Sequence, residues 1–329
     1  MNSVGHLFPK RIEYSTYILK KIAVNSARVG ALLKIEWPDG IGYSDLHPWP
    51  EFGDAYLKEQ LKIFADYLKN PKTILLSPLQ QQSIHYSRLD AQARTQKISL
   101  LNELVVPESH YLITREEETR EDSLAQMTEA GFNKVKVKIG GDPLMAVIHI
   151  AHLASQIQQS LRLDANAQWG ESELSQFAEK IPEDLKPRIE FIEDPFHSAP
   201  TAWKILSEKY NLKFARDFCA DKDLSYAVRI LKPAAENVPH LAATEPAALV
   251  VSSYLDHPLG QVCAAYEAAL LKQKYGDRVL DCGLLSQHVY EVNDFSQAMA
   301  VQGPKFPKIH GTGFGFDELL KNLRWQVVK

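Results

Sequence analysis

From about residue 110 onward the chain repeats one unit, a short apolar strand followed by a helix-length segment. Strands are expected at residues 111–114, 134–139, 161–164, 189–193, 213–217, 229–232, 249–252 and 279–281. Parallel strands cannot be joined by tight hairpins and need crossover connections, usually helices. Eight such units predict an α/β fold with a parallel (β/α) barrel, whose working residues stand at the C-terminal strand ends. The charged residues of this chain gather at those ends: Lys136 and Lys138, Asp164, Glu193, Asp217 and Lys232.

Side-chain parity sharpens this reading, because neighbouring residues of a strand face opposite ways. In Lys134-Val135-Lys136-Val137-Lys138 the valines are expected under the helices and the lysines in the barrel lumen. A solvated edge strand would also carry lysines. Buried ammonium groups need opposite charge, however, and the following strands supply it. Arg162, Asp164 and Asn166 share one face, Phe191 and Glu193 another, and Asp217 follows Ala215 in the same phase. One acid after one strand is commonly a helix cap. Three acids from three successive strand ends make an all-oxygen set suited to Mg2+, with Mn2+ as an alternative. Lys232, one strand further on, is expected across the barrel mouth from Lys138. Two amines flanking a metal-bound carboxylate are the equipment for removing a proton from the adjacent carbon.

The first hundred residues differ. Segments 11–20 and 27–37 read as strands, Pro38-Asp39-Gly40 as a turn, and 55–70 as an amphipathic helix striped by Leu57, Leu61, Phe64 and Leu68. A second, longer helix is expected over 79–104. The tail segment His310-Gly311-Thr312-Gly313-Phe314-Gly315 lacks the strand–helix context of a phosphate loop and is read as a flexible return segment. The expected division is an α+β unit at 1–106, a barrel at 107–300 and a returning segment at 301–329.

Composition excludes several functions. The net charge of −4 and the absence of a basic run argue against nucleic-acid binding. No apolar run reaches the eighteen or so residues of a membrane span. The opening ten residues resemble neither a signal peptide nor a presequence. Cys219, Cys263 and Cys282 are widely spaced and form no CxxC pair, so a reducing cytoplasm is the expected setting.

The lysine pair, the three acids and the distal lysine together resemble the enolase superfamily, in the branch of muconate-lactonizing enzymes and o-succinylbenzoate synthases. LRLDANAQW at 161–169, FIEDP at 191–195 and Ser252-Ser253 ahead of Leu259-Gly260 are most similar to the o-succinylbenzoate synthase family. The resemblance covers nearly the whole chain. It implies a modified TIM-type (β/α)7β barrel with an N-terminal α+β capping domain, and Mg2+ held by Asp164, Glu193 and Asp217. It further implies Lys138, Lys232 and Lys136 as catalytic groups, with Ser252, Ser253, Asn166 and Arg162 on a small anionic carboxylate substrate. Residues 47–52 resemble the capping loop that closes over such a site. Two departures stand out. Phe218 replaces a usual acid, and the intervals from Asp217 to Lys232 and from Lys232 to Ser252 are short for βα units, so trimmed crossovers are expected.

The expected activity is a metal-dependent dehydration giving o-succinylbenzoate, for menaquinone synthesis. Sister reactions would use the same groups: N-acylamino acid racemisation, dipeptide epimerisation or muconate cycloisomerisation. Dipeptide-epimerising relatives usually carry Asp-x-Asp on the eighth strand, where this chain has Leu280-Asp281-Cys282-Gly283. A Schiff-base lyase using one lysine, or a silent barrel serving as a binding subunit, are the readings from other classes.

Overall fold

Two sheets organise the residues described by the computed structural model, which are 8–22, 26–114, 116–197, 200–217 and 225–329. Phe218 and Cys219 fall outside them, so neither the missing acid nor the first cysteine is placed. Cys263 and Cys282 are free and buried.

The first sheet is antiparallel. β1 (Arg11–Lys20) pairs along its whole length with β2 (Ala27–Trp37), and β2 turns through Pro38-Asp39 into β3 (Gly40–Leu46), with Trp37 opposite Gly40. Ile12, Leu33, Ile35, Trp37 and Leu46 are buried against α1 (Leu57–Lys69) and α2 (Pro78–Thr95). α2 begins with a reciprocal cap: Ser77 Oγ accepts from Gln80 N, and Gln80 Oε1 accepts from Ser77 N. It ends nine residues earlier than the sequence pattern suggests. Lys97 and Glu103 both take left-handed backbone conformations (φ 57° and 65°), which a continuing helix cannot contain.

The second sheet is parallel and holds seven strands in chain order: β4 (Tyr111–Ile113), β5 (Lys134–Lys138), β6 (Ser160–Asp164), β7 (Ile189–Glu193), β8 (Phe214–Arg216), β9 (Val228–Leu231) and β10 (Ala248–Val251). The eighth stave forms no continuous ladder, but single bridges close the barrel on both sides. Leu280 N and Gly283 N donate to Leu249 and Val251 of β10, while Cys282 O accepts from His110 N just before β4.

Between these staves run α3 (Glu121–Glu129), α4 (Pro143–Gln156), α5 (Glu171–Lys180), α6 (Pro200–Tyr210), α7 (Val238–Thr244) and α8 (Pro258–Tyr275). The expected trimming is visible in α7, only seven residues long. The β8–β9 connection runs largely through residues outside the described set.

The valines at 135 and 137 pack outward into the shell of Leu161, Leu163, Ile192 and Trp203. Inside, Phe191, Ala215, Ile230 and Val250 form a separate buried cluster. Each stands two residues before Glu193, Asp217, Lys232 or Ser252, so this apolar layer is the floor beneath the strand ends.

The C-terminal part returns to the first sheet. After α9 (Asp294–Ala298) and α10 (Asp317–Lys321), β11 (Gln326–Val327) pairs antiparallel with β1. Segment 310–315 is tied down rather than loose. Asp90 of α2 accepts from Phe314 N (2.7 Å), and Arg94 donates to Gly315 O (2.9 Å). The sequence pattern alone does not show these two partners.

Candidate active site

Strand register aligns the charged ends. Lys138 is the neighbour of Asp164 across β5–β6, and Asp164 of Glu193 across β6–β7. Asp217 follows β8 and Lys232 follows β9. All five, with Lys136, line one cleft of about 700 Å3 measured to its open mouth. Asn166, Ser252 and Ser253 line it as well. The structure therefore brings together nine of the ten residues singled out from the sequence.

Arg162 is the exception. It has the right parity but lies one layer too deep. Fully buried, it donates to Glu190 (2.6 Å), His110 Nδ1 (3.0 Å) and Asp281 O (2.7 Å), and it is absent from the cleft wall. Parity assigns a side chain to a face but not to a depth along it.

The acids meet ammonium groups. Lys136 Nζ is 2.9 Å from Asp164 and 2.7 Å from Glu193, and Lys232 Nζ is 2.5 Å from Asp217. Burial acts against the charge on Lys136, yet Asp164 and Glu193 hold its ammonium above the ordinary value. Burial likewise opposes ionisation of Asp164, and Lys136 overcomes it, keeping that carboxyl below its usual range. Glu193 goes the other way: burial, then the charge of Asp164, push it up to about 8. Burial also leaves Asp217 raised in spite of Lys232. Lys138, the exposed end of β5, reaches the cleft without a hydrogen bond or ion pair among the described residues.

Among the described residues, no three acid, histidine or cysteine side chains are already gathered as a metal cage; the acids instead contact Lys136 and Lys232. The donor set still fits a hard divalent cation. Three carboxyl groups, each able to offer oxygen ligands, stand on adjacent strand ends and line one cleft.

Several supporting residues are not among those singled out from the sequence. Asp194, in a left-handed turn (φ 38°), accepts from Asp217 N (3.0 Å) and so fixes the neighbouring strand end. Arg229 donates to Asp217 O (2.8 Å) and pairs with Glu236, whose other oxygen accepts from Lys232 N (2.6 Å). That fork joins two strand ends that a short crossover would otherwise leave loosely held. Parity could have found Arg229, which stands out of phase with Ile230 and Lys232.

The first sheet contributes the roof. Trp49 and Phe52 stack (5.2 Å between centroids) over the cleft, and Trp49 Nε1 donates to Tyr254 O across the gap (2.8 Å). Arg28 lies 3.6 Å over the indole. His47, in the same loop, turns away onto Tyr17.

Comparison with known proteins fits this geometry. Residues 12–93 match the family described as O-succinylbenzoate synthase, N-terminal domain, and residues 119–222 match Enolase C-terminal domain-like. A curated o-succinylbenzoate synthase of Bdellovibrio bacteriovorus is 35% identical over 97% of this chain and 99% of its own. The chain belongs to the o-succinylbenzoate synthase family. That family consists of carbon–oxygen lyases within the enolase superfamily. The fold is shared more widely. A dipeptide epimerase of Enterococcus faecalis, solved with Mg and L-Leu-L-Tyr, superposes with a TM-score of 0.74 at 14% identity, covering 93% of this chain and 99% of that one. The L-Ala-D/L-Glu epimerase of Bacillus subtilis gives 0.74 at 17%, covering 93% and 97%.

Proposed function

We propose that this protein dehydrates 2-succinyl-6-hydroxy-2,4-cyclohexadiene-1-carboxylate to o-succinylbenzoate, the step that serves menaquinone synthesis. The carrying observation is that Lys138 and Lys232 line one cleft with Asp164, Glu193 and Asp217 between them. Those three acids would hold Mg2+. When bound, the ion supplies positive charge beside the substrate carboxylate, where negative charge develops during proton loss.

Lys138, as its free amine, takes the proton from the ring carbon bearing the carboxylate. The resulting ammonium stands on the face of the departing hydroxyl and returns that proton to it, so water leaves and the ring becomes aromatic. Lys232 remains an ammonium and stabilises the developing charge from the other flank. Lys136, clamped by Asp164 and Glu193, holds both carboxyl groups at the cleft and favours the ionised form of Asp164. Trp49 and Phe52 keep bulk water from the reacting carbon.

Charge supports an anionic substrate. With Lys138 as the free amine, Lys136 and Lys232 offset two of the three carboxylates, so a divalent ion leaves one positive charge in the cleft. The eighth stave speaks against dipeptides. Asp281 pairs with Lys134 at 3.5 Å, and Gly283 takes the place on the cleft wall where an acid could hold a substrate ammonium.

The test is turnover of the cyclohexadiene substrate, followed by absorbance, with Mg2+ and with excess EDTA. The reading requires turnover that EDTA abolishes and Mg2+ restores. Faster racemisation of N-acylamino acids, or faster epimerisation of a dipeptide, would replace it with a sister activity. Trapping of a ketone substrate by borohydride would replace it with Schiff-base chemistry.

A further inference from the structure

His110 stands just before β4, buried in the cleft wall with Ser252, Gly283 and Leu285. Its tautomer is set by its neighbour. A guanidinium has donors only, so the 3.0 Å contact with Arg162 makes His110 Nδ1 the acceptor and leaves the ring proton on Nε2. Arg162 is itself held by Glu190 and Asp281 O and lies 5.0 Å over the Phe191 ring, so the imidazole is pinned from behind. Burial, then the charge of Arg162, keep the imidazole well below its usual range and therefore neutral. Among the described residues, Nε2–H meets no acceptor.

Gly283 accounts for the opening. Its backbone is not left-handed, so no turn demands a glycine there. The demand is close approach: a Cβ at this position would sit 2.7 Å from His110 Cε1 and 2.9 Å from Nε2. Any larger residue would displace the pinned ring or cover its edge. Ser252 Oγ lies 3.2 Å from the same point, so both polar groups border the gap. The wall they form belongs to β10, the eighth stave and β4, across the barrel from the acids of β6, β7 and β8.

We propose that His110 is a substrate contact whose Nε2–H donates a hydrogen bond, through the gap left by Gly283, to an oxygen on the acyl arm of the bound dicarboxylate. This rests on the dehydration reading and assigns it a specificity-determining residue. Arg162 acts through His110, as a positioning residue.

The test compares wild type, His110→Leu, His110→Gln and Gly283→Ala, with KM and kcat for the cyclohexadiene substrate and calorimetric Kd for o-succinylbenzoate. Loss of one donor to an anionic oxygen raises KM and the product Kd about 10- to 100-fold, with kcat reduced less. His110→Gln, which keeps a donor near the Nε2 position, recovers most of the affinity. Gly283→Ala keeps both side chains but displaces the imidazole or covers its edge, and so raises KM comparably, yet adds little in the His110→Leu background. Nitrogen NMR of labelled histidine reads out the Nε2–H tautomer and a shift of its proton when product binds, which a purely structural role does not produce. A His110→Leu enzyme of unchanged KM, an Nδ1–H tautomer, or a full independent effect of Gly283→Ala in the His110→Leu background would each overturn the proposal while leaving the dehydration intact. Wild type that neither turns over the substrate nor binds the product overturns the parent reading and the proposal together.

Discussion

At Lys138 the division of labour between the amines becomes testable. Lys138 has no ion-pair partner among the described residues, whereas Lys136 and Lys232 are clamped onto acids. Lys138→Ala is therefore expected to lower kcat by about 100- to 10,000-fold while the affinity for Mg2+ stays within a few-fold, by calorimetric titration. Glu193→Gln and Asp217→Asn are expected to do the opposite first, weakening Mg2+ binding before any effect at saturating metal is seen. Equal loss of metal affinity in Lys138→Ala would move that lysine from base to structural support. These residues are legible in the sequence because charge at a strand end has few uses in a barrel. His110 is not legible, since its way into the cleft depends on a missing side chain at Gly283, more than a hundred and seventy positions away. Arg162 shows the matching failure, because its depth is set by how strands stagger around the barrel.

Among the elements, α2 carries more than its own packing. Asp90 is fully buried and accepts from Tyr43 N of β3 (2.8 Å), Phe314 N of the returning segment (2.7 Å) and Arg94 Nε (2.6 Å). Arg94 also pairs with Asp317 at the start of α10 (2.5 Å). Asp90→Ala would leave Arg94 Nε–H and two backbone amides without their acceptor and remove one of the two carboxylates paired with that guanidinium. It is expected to cost about 3–5 kcal/mol, read by chemical denaturation, and a loss under about 1 kcal/mol would show that the returning segment docks without this node. Helix and strand positions followed from periodicity, including β1 and β2 to the residue. The end of α2 and the anchoring of segment 310–315 did not, because both depend on partners distant in sequence.

A polar, buried contact joins the first sheet to the start of α8. Tyr17 of β1 donates to Asp45 Oδ1 of β3 (2.6 Å), and His257 N, at the start of α8, donates to Asp45 Oδ2 (3.1 Å). Asp256 faces the same spot: a Cβ on Gly260 would lie 2.5 Å from its Oδ2 and 2.7 Å from Asp45 Oδ2. His47 and His257, both driven down to about 3 by burial, supply no positive charge, and Lys232 is the cation that acts on Asp256. Burial pushes Asp256 up to about 7. At Asp256 the native state thus keeps a proton that the unfolded chain releases near pH 4. Its contribution to stability falls as pH rises from about 4 to 7, opposite in sign to the rise that His47 and His257 contribute below about 6.5. Melting temperatures of wild type and Asp256→Asn from pH 4 to 8 should differ by that fall, the variant rising more steeply with pH. An unchanged slope would mean that Asp256 is ionised in the native state. Alternation of apolar and charged residues, with spacing long enough for crossover helices, was sufficient by itself to specify a parallel barrel and the phase of its lysines and acids, since both follow from strand geometry and the cost of burying unpaired charge. Only the tertiary structure decided which lysine is left without an ion pair, how an eighth stave without a ladder closes the barrel, how the roof of Trp49 and Phe52 seats on Tyr254, and that a glycine opens the wall to His110. Those depend on distances between residues that the chain brings together only after closing on itself.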